Sequence, residues 1–279
     1  CRADLRHPVL GALHATLPAG LLVLSVMTSA VGPRFLPASV TVPLAGTLLA
    51  LGAAIGLVLG VAFAYTLFTG EVAAASVNGG WFIPPVVTII IPVALAALVP
   101  HVGPGDARLL LALGYATFGM GFVLFLLTMG LLFARLVLHP LPPAALAPTV
   151  WIALGPVGVG AALARAMPAA VPGAAGAVAT PPLLFASALW GFVGAGLAVA
   201  VALLVRYLRA GGFAFHLGWW AFTFPLGALT VATLGIARAW QAPALDAVGA
   251  VLYVGLVVVW AVVGTRTVRG VLSGRIWQR

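Results

Sequence analysis

Charge is what this chain has least of. Only 6% of its 279 residues are Asp, Glu, Lys or Arg, against about 25% in an ordinary globular domain. A water-soluble surface needs those charges, so a soluble fold is excluded. Lysine is absent, and all 13 basic residues are arginine. The acids are four, Asp4, Glu71, Asp106 and Asp246, all in loops or at the ends of apolar runs. No two carboxylates are paired for acid–base hydrolysis. The single cysteine, Cys1, cannot form an internal disulfide. There is no Cys/His cluster and no H-E-x-x-H, so neither a metal nor another cofactor is expected. Serines such as Ser25 and Ser187 have no histidine at a plausible spacing within a span. The chain does not read as an enzyme.

Apolar length is what it has in excess. Hydrophobic residues make up 63% of the sequence. A bilayer core of roughly 30 Å takes about 20 apolar residues per helical crossing. Eight stretches qualify: Leu13 to Val31, Pro43 to Phe68, Phe82 to Val99, Arg108 to Ala134, Ala145 to Ala164, Pro182 to Val205, His216 to Ile236 and Asp246 to Val268. None has a charge at its middle. Short loops with turn formers join them, among them Asn78-Gly79-Gly80 and Gly103-Pro104-Gly105. The expected architecture is therefore all-α and transmembrane, one domain over residues 1–279, with the lipid bilayer as its main partner. The arginines stand singly at span ends, which argues against nucleic acid despite a net charge of +9.

Arginine also sets the orientation. One side carries Arg2, Arg6, Arg135, Arg206, Arg209, Arg266, Arg269, Arg275 and Arg279; the other carries Arg34, Arg108, Arg165 and Arg238. The richer side is expected to be cytoplasmic and to hold both termini, in the cell (plasma) membrane. The chain begins at Cys1 with no visible signal peptide, and we read it as a fragment.

Proline gives the internal organisation. Pro18, Pro92, Pro156 and Pro225 fall in the odd-numbered spans, and the interiors of the even-numbered spans are read as free of proline. Each has Gly or Ala two residues later: Gly20, Ala94, Gly158, Gly227. Trp151 and Trp220 each precede their proline by five residues. Proline removes a backbone hydrogen bond and kinks its helix. Within a bilayer the freed carbonyl is tolerated only against protein or a water-filled cavity. The reading is four kinked-plus-straight hairpins, the odd helices inside around a pore and the even helices outside. On the second span, Gly52, Gly56 and Gly60 form a smooth ridge for close packing, against a neighbouring hairpin or another subunit.

Such a pore would be uncharged. No ionisable group lies at mid-membrane, where a proton- or cation-coupled pump usually keeps one. Helix dipoles, freed amides and hydroxyls such as Thr88, Thr149 and Thr223 would stabilise an anion, with arginines at the mouths raising its local concentration. His14 and His216, at the mouths of kinked spans, are weaker candidates that would attract anions when protonated.

The segment Trp219-Trp220-Ala221-Phe222-Thr223-Phe224-Pro225 closely resembles the W-W-A-x-T-F-P signature of the tellurite-resistance/dicarboxylate transporter family. That superfamily takes in the slow anion channel, the TehA-like tellurite-resistance protein, malate transporters and sulfite pumps. Supporting matches are Leu141-Pro142-Pro143 with Ala147-Pro148-Thr149, Trp81-Phe82-Ile83-Pro84-Pro85, and Asp4-Leu5-Arg6-His7-Pro8. The resemblance covers the whole chain. It implies ten helices in five hairpins around one pore per subunit, often in a trimer. The first hairpin is then missing here, and a gap is expected in the pore wall. It also implies that Phe224 occludes the pore. The repeat extends this to Leu17, Ile91 and Gly155 at the same depth, so that Leu17, Pro18, Ile91, Pro92, Gly155, Pro156, Thr223 and Pro225 are the expected lining. The leading function is passive transport of a small inorganic or organic anion by a channel or facilitated exporter. The alternative is a proton-coupled carrier of C4-dicarboxylates or sulfite. A non-transporting scaffold or intramembrane enzyme ranks last, because a kinked inner layer is costly without a cavity.

Overall fold

The computed structural model describes residues 2–5, 7–156, 158, 180–211, 213–274 and 276. The second half of the fifth expected span, Arg6, Arg165, Arg275, Arg279 and the Pro172-Gly173 turn lie outside them. The described residues are helical, with no strand among them. The long helices are α1 (Thr16–Ala30), α2 (Ala38–Thr69), α3 (Ile83–Leu98), α4 (Pro104–Leu138), α5 (Thr180–Ala210), α6 (Thr223–Trp240) and α7 (Pro243–Leu272). With the short turns that continue some of them, these give seven segments long and apolar enough to cross a membrane. The fifth expected span is represented by a 3-10 segment, Ala144–Leu154, that passes into α-helix at residues 155 and 156. An all-α membrane protein is what the structure shows.

The α2, α4 and α7 helices run beyond the apolar stretches read from sequence. At 32, 35 and 30 residues they exceed the bilayer requirement. This corrects one reading. Pro43 marks the start of the apolar run, yet the helix begins at Ala38 and holds Pro43 inside it. The even-numbered spans are therefore not free of internal proline.

Burial separates the two kinds of helix. Of the most apolar stretch, 83% is buried in Gly79–His101, 50% in Leu217–Trp240 and 33% in Leu10–Ala30. In the spans that contain α2 and α4 the share is 22%, and in those of α5 and α7 it is 11%. The segments that hold Pro18, Pro92 and Pro225 thus lie inward of the others. Sequential helices pack in pairs, α1 on α2, α3 on α4 and α6 on α7, while α3 also touches α1 and α2.

Hydrogen bonds and small residues join the helices where hydrophobicity cannot, since lipid is as apolar as leucine. Ser25 donates to the Ala45 carbonyl at 2.8 Å, linking α1 to α2. Trp190 Nε1 donates to Thr233 Oγ1 at 2.8 Å, and Trp240 Nε1 to Ser187 Oγ at 2.9 Å, both linking α5 to α6. The glycine ridge of α2 is used within the subunit. A Cβ at Gly52 would sit 2.9 Å from Leu22 Cγ, and one at Gly56 would sit 2.2 Å from Val87 Cγ1. At Gly60 no atom of the described residues lies within 4 Å of such a Cβ.

Candidate anion pathway

Four short segments precede the four prolines, and the structure gives them a common form. Leu10–Leu13 is a helical turn that breaks at residues 14 and 15 before α1. Gly79–Phe82, Ala144–Leu154 and Leu217–Phe222 are 3-10 helices that run directly into α-helix. The cause is local for three of them. Pro18, Pro156 and Pro225 stand at or near the first turn of the following α-helix. A proline there has no N–H to close a turn onto the carbonyl four residues back, and its ring clashes with that carbonyl. The turn before it tightens to 3-10 or breaks. Pro92 differs, standing well inside α3. The expected kinks are thus, in three cases of four, irregular turns placed before the helix.

These lead-in turns touch one another in sequence order. Trp81 Nε1 donates to the Pro8 carbonyl at 2.8 Å, tying the second to the first. Gly79 lies so close to Thr149 that an added Cβ would fall 1.8 Å from its carbonyl oxygen, tying the second to the third. Trp151 meets Phe222 edge-to-face at 5.1 Å, tying the third to the fourth. The four turns form a contiguous band at the arginine-rich end.

Two of the four are capped by a side chain, and a similar contact precedes the first. His7 Nδ1 accepts from the Val9 N–H at 3.1 Å, Asn78 Oδ1 from Gly80 at 2.8 Å, and His216 Nδ1 from Gly218 at 3.1 Å. The side chain stands in for a backbone carbonyl, which is the N-cap device. In the last two the residue two further on is glycine because the capping side chain fills the space of its Cβ. That Cβ would lie 2.8 Å from Asn78 Oδ1 and 2.6 Å from His216 Cε1. Asn78-x-Gly80-Trp81 and His216-x-Gly218-Trp219 are therefore one motif, visible in the sequence once the cap is known. The sequence reading missed it by anchoring on the prolines.

His14 Nδ1 is within hydrogen-bonding distance of the Leu10 carbonyl, at 3.1 Å. His216 is half-buried, with Nε2 buried and without a hydrogen-bond partner among the described residues. Burial pushes its imidazole below the usual histidine range. With Arg266 and Arg269 of the last helix and Ser273 just beyond its end it lines a cavity of about 700 Å3. Arg266 also stacks over Trp219, 5.1 Å from the ring centre. Trp219 in turn stacks on Phe213 at 5.0 Å, while Trp220 Nε1 donates to Thr267 at 3.1 Å.

Deeper along the helices, Pro18, Pro92, Pro156 and Pro225 are all buried. The residues before them differ. Leu17 is 65% exposed, Ile91 is 3% exposed, Gly155 is buried and Phe224 is half-buried. The structure brings Phe224 and Gly155 together, since a Cβ on Gly155 would stand 2.4 Å from Phe224 Cε1. Thr223, half-buried, adjoins them.

The expected anion donors are a correction. Thr88, Thr149 and Thr223 each give their hydroxyl proton to the carbonyl three residues earlier, of Pro85, Leu146 and Trp220. The amides at the three 3-10-to-α junctions are occupied as well. Ile83, Gly155 and Thr223 N–H groups bond back to Gly80, Ile152 and Trp220 carbonyls. The proline geometry itself consumes these donors. These groups are therefore not free to meet an anion.

Comparison with known proteins bears on the whole chain. Residues 1–268 match the family described as Voltage-dependent anion channel. Two uncharacterized transporters of Methanocaldococcus jannaschii are 31% and 30% identical over 277 and 278 residues. Each alignment takes in 99% of this chain, and 77% and 78% of the respective relative. A sulfite efflux pump of Trichophyton rubrum is 28% identical over 206 residues, 69% of this chain and 54% of the pump.

Proposed function

The chain belongs to the voltage-dependent anion channel family, and we propose that it passes small anions through a pore between its proline-bearing segments, with Phe224 as the gate. The observation that carries the gate is the contact of the Phe224 ring with Gly155. It joins two of the four pre-proline positions. It sets a large aromatic ring against the one residue type that leaves room for it. A half-buried ring so placed closes a gap and still has space to turn away. Leu17 and Ile91 complete the lining at the same depth, together with Pro18, Pro92, Pro156, Thr223 and Pro225.

Selectivity follows from charge outside the pore. The occupied hydroxyls and amides leave a lining that neither traps an anion nor offers it a counter-charge. Arginines on one face, including Arg266 and Arg269 beside His216, concentrate anions at that mouth. We assign that face to the cytoplasm and the protein to the plasma membrane, as a homotrimer. The likeness to a sulfite efflux pump favours sulfite among the candidate anions. The alternative reading is proton-coupled carriage of sulfite or a C4-dicarboxylate.

Reconstituted protein tests both. Flux of chloride, nitrate, sulfite and malate into liposomes is measured with and without a pH gradient. Downhill flux insensitive to the gradient is the expected result; uphill accumulation driven by protons selects the coupled carrier. Phe224→Ala is expected to raise flux about tenfold or more, each 1.4 kcal/mol off the barrier being worth a factor of ten. Unchanged flux for every permeant anion would sink the gate.

A further inference from the structure

A second cavity, of about 420 Å3, lies at the arginine-rich ends of α2 and α4. Its walls are apolar: Leu67 and Phe68 of α2, Val72 and Val77 of the loop that follows, and Leu131 and Leu138 of α4. Arg135 and His139 enter this apolar lining. Arg135 is 6% exposed. Its Nη1 donates to the Pro140 carbonyl at 2.5 Å, while Nε is buried without a hydrogen-bond partner among the described residues. No carboxylate among the described residues pairs with it. A guanidinium keeps its charge and its five donors in any protein environment. A buried one without a counter-charge is a costly arrangement, and one that lines a cavity is a receptor for an anion.

The surroundings say which anion. Arg135 stands in the last turn of α4, where a spanning helix reaches the head-group layer. The helices beside it present apolar side chains outward: Phe68 is 87% exposed and Leu138 is 73% exposed. A free ion gains nothing from such walls. An anionic lipid fits both parts, its phosphate on the cation and its acyl chain along the helices. Basic pockets between spanning helices on the positively charged side are a recurrent form of lipid head-group site.

We propose that this cavity holds the head group of an anionic membrane phospholipid, with Arg135 as its charged partner and the α2 and α4 surfaces as the track for its acyl chain. The site lies apart from Phe224 and stands whatever the pore conducts.

The test is native mass spectrometry of protein released from nanodiscs of equal phosphatidylcholine and phosphatidylglycerol. Wild type is expected to retain phosphatidylglycerol over phosphatidylcholine, and Arg135→Gln to retain it about tenfold more weakly, the loss of one charge-assisted hydrogen bond. Ala134→Trp fills the cavity while leaving Arg135 in place, and is expected to abolish retention in folded protein. It decides the matter if Arg135→Gln does not fold. Equal retention by wild type and Ala134→Trp, or no preference for the anionic lipid, overturns the proposal. Displacement of the lipid by millimolar inorganic phosphate also overturns it, because the site would then serve a free anion.

Discussion

The segments around α3 and α6 begin alike and end differently. Each starts with a capping side chain, Asn78 or His216, then a glycine two residues on, a tryptophan and a 3-10 turn before the helix. Yet α3 is enclosed, with every residue from Ile83 to Pro92 buried, whereas α6 keeps half-buried positions along its length. Before its proline, α3 places a buried isoleucine and α6 places a half-buried phenylalanine against a glycine. The repeat fixes the backbone path, and the side chains laid on it decide which segment braces the bundle and which can move.

Exchanging equivalent residues breaks this comparison most sharply at the position after the cap. It is Gly79 in one segment and Leu217, 49% exposed, in the other. Gly79 presses on the Thr149 carbonyl, a backbone atom that cannot swing aside. Gly79→Leu is expected to lose folded protein altogether, a cost beyond about 4 kcal/mol. Leu217→Gly should leave yield and monodispersity near wild type. Size-exclusion profiles of the two variants in detergent read this out, and equal yields would show that the two turns are not differently constrained.

The pre-proline pair comes next. Ile91→Ala removes a fully enclosed side chain and should cost about 2–5 kcal/mol of stability, without raising anion flux. Phe224→Ala should do the reverse, raising flux at little cost in thermal stability. A rise in flux from Ile91→Ala equal to that from Phe224→Ala would make the pore symmetrical and remove Phe224 from its special place.

Much of this was legible beforehand. Composition gave the membrane, and the proline series pointed to the segments that are most buried. Side-chain pairing was not legible. Thr88, Thr149 and Thr223 look in sequence like free donors in an apolar lining. They are not, because a residue near a proline turn finds an acceptor three positions back at no cost in burial. Arg135 reads as one more topology marker, since its burial depends on a loop that folds back to offer the Pro140 carbonyl. The cap motif is hidden for a chemical reason. Asn and His share no obvious class, yet each offers one acceptor atom at the distance the turn needs.

That equivalence yields the smallest effect and the finest test. His216 can cap Gly218 only through an unprotonated Nδ1, and burial lowers its pKa below the ordinary histidine value of about 6.5. A group whose pKa is depressed on folding stabilises the protein above its unfolded pKa. That contribution is lost as pH falls through the folded value. The lead-in turn before α6 should therefore weaken below pH 6.5, while Asn78, which does not titrate, holds its own turn unchanged. His216→Asn keeps an acceptor and removes the proton site. Thermal melting from pH 8 to pH 5 should show a drop in wild type that this variant lacks, with both alike near pH 8. If wild type and His216→Asn fall in parallel, the acid sensitivity lies elsewhere and the two caps are equivalent in structure only.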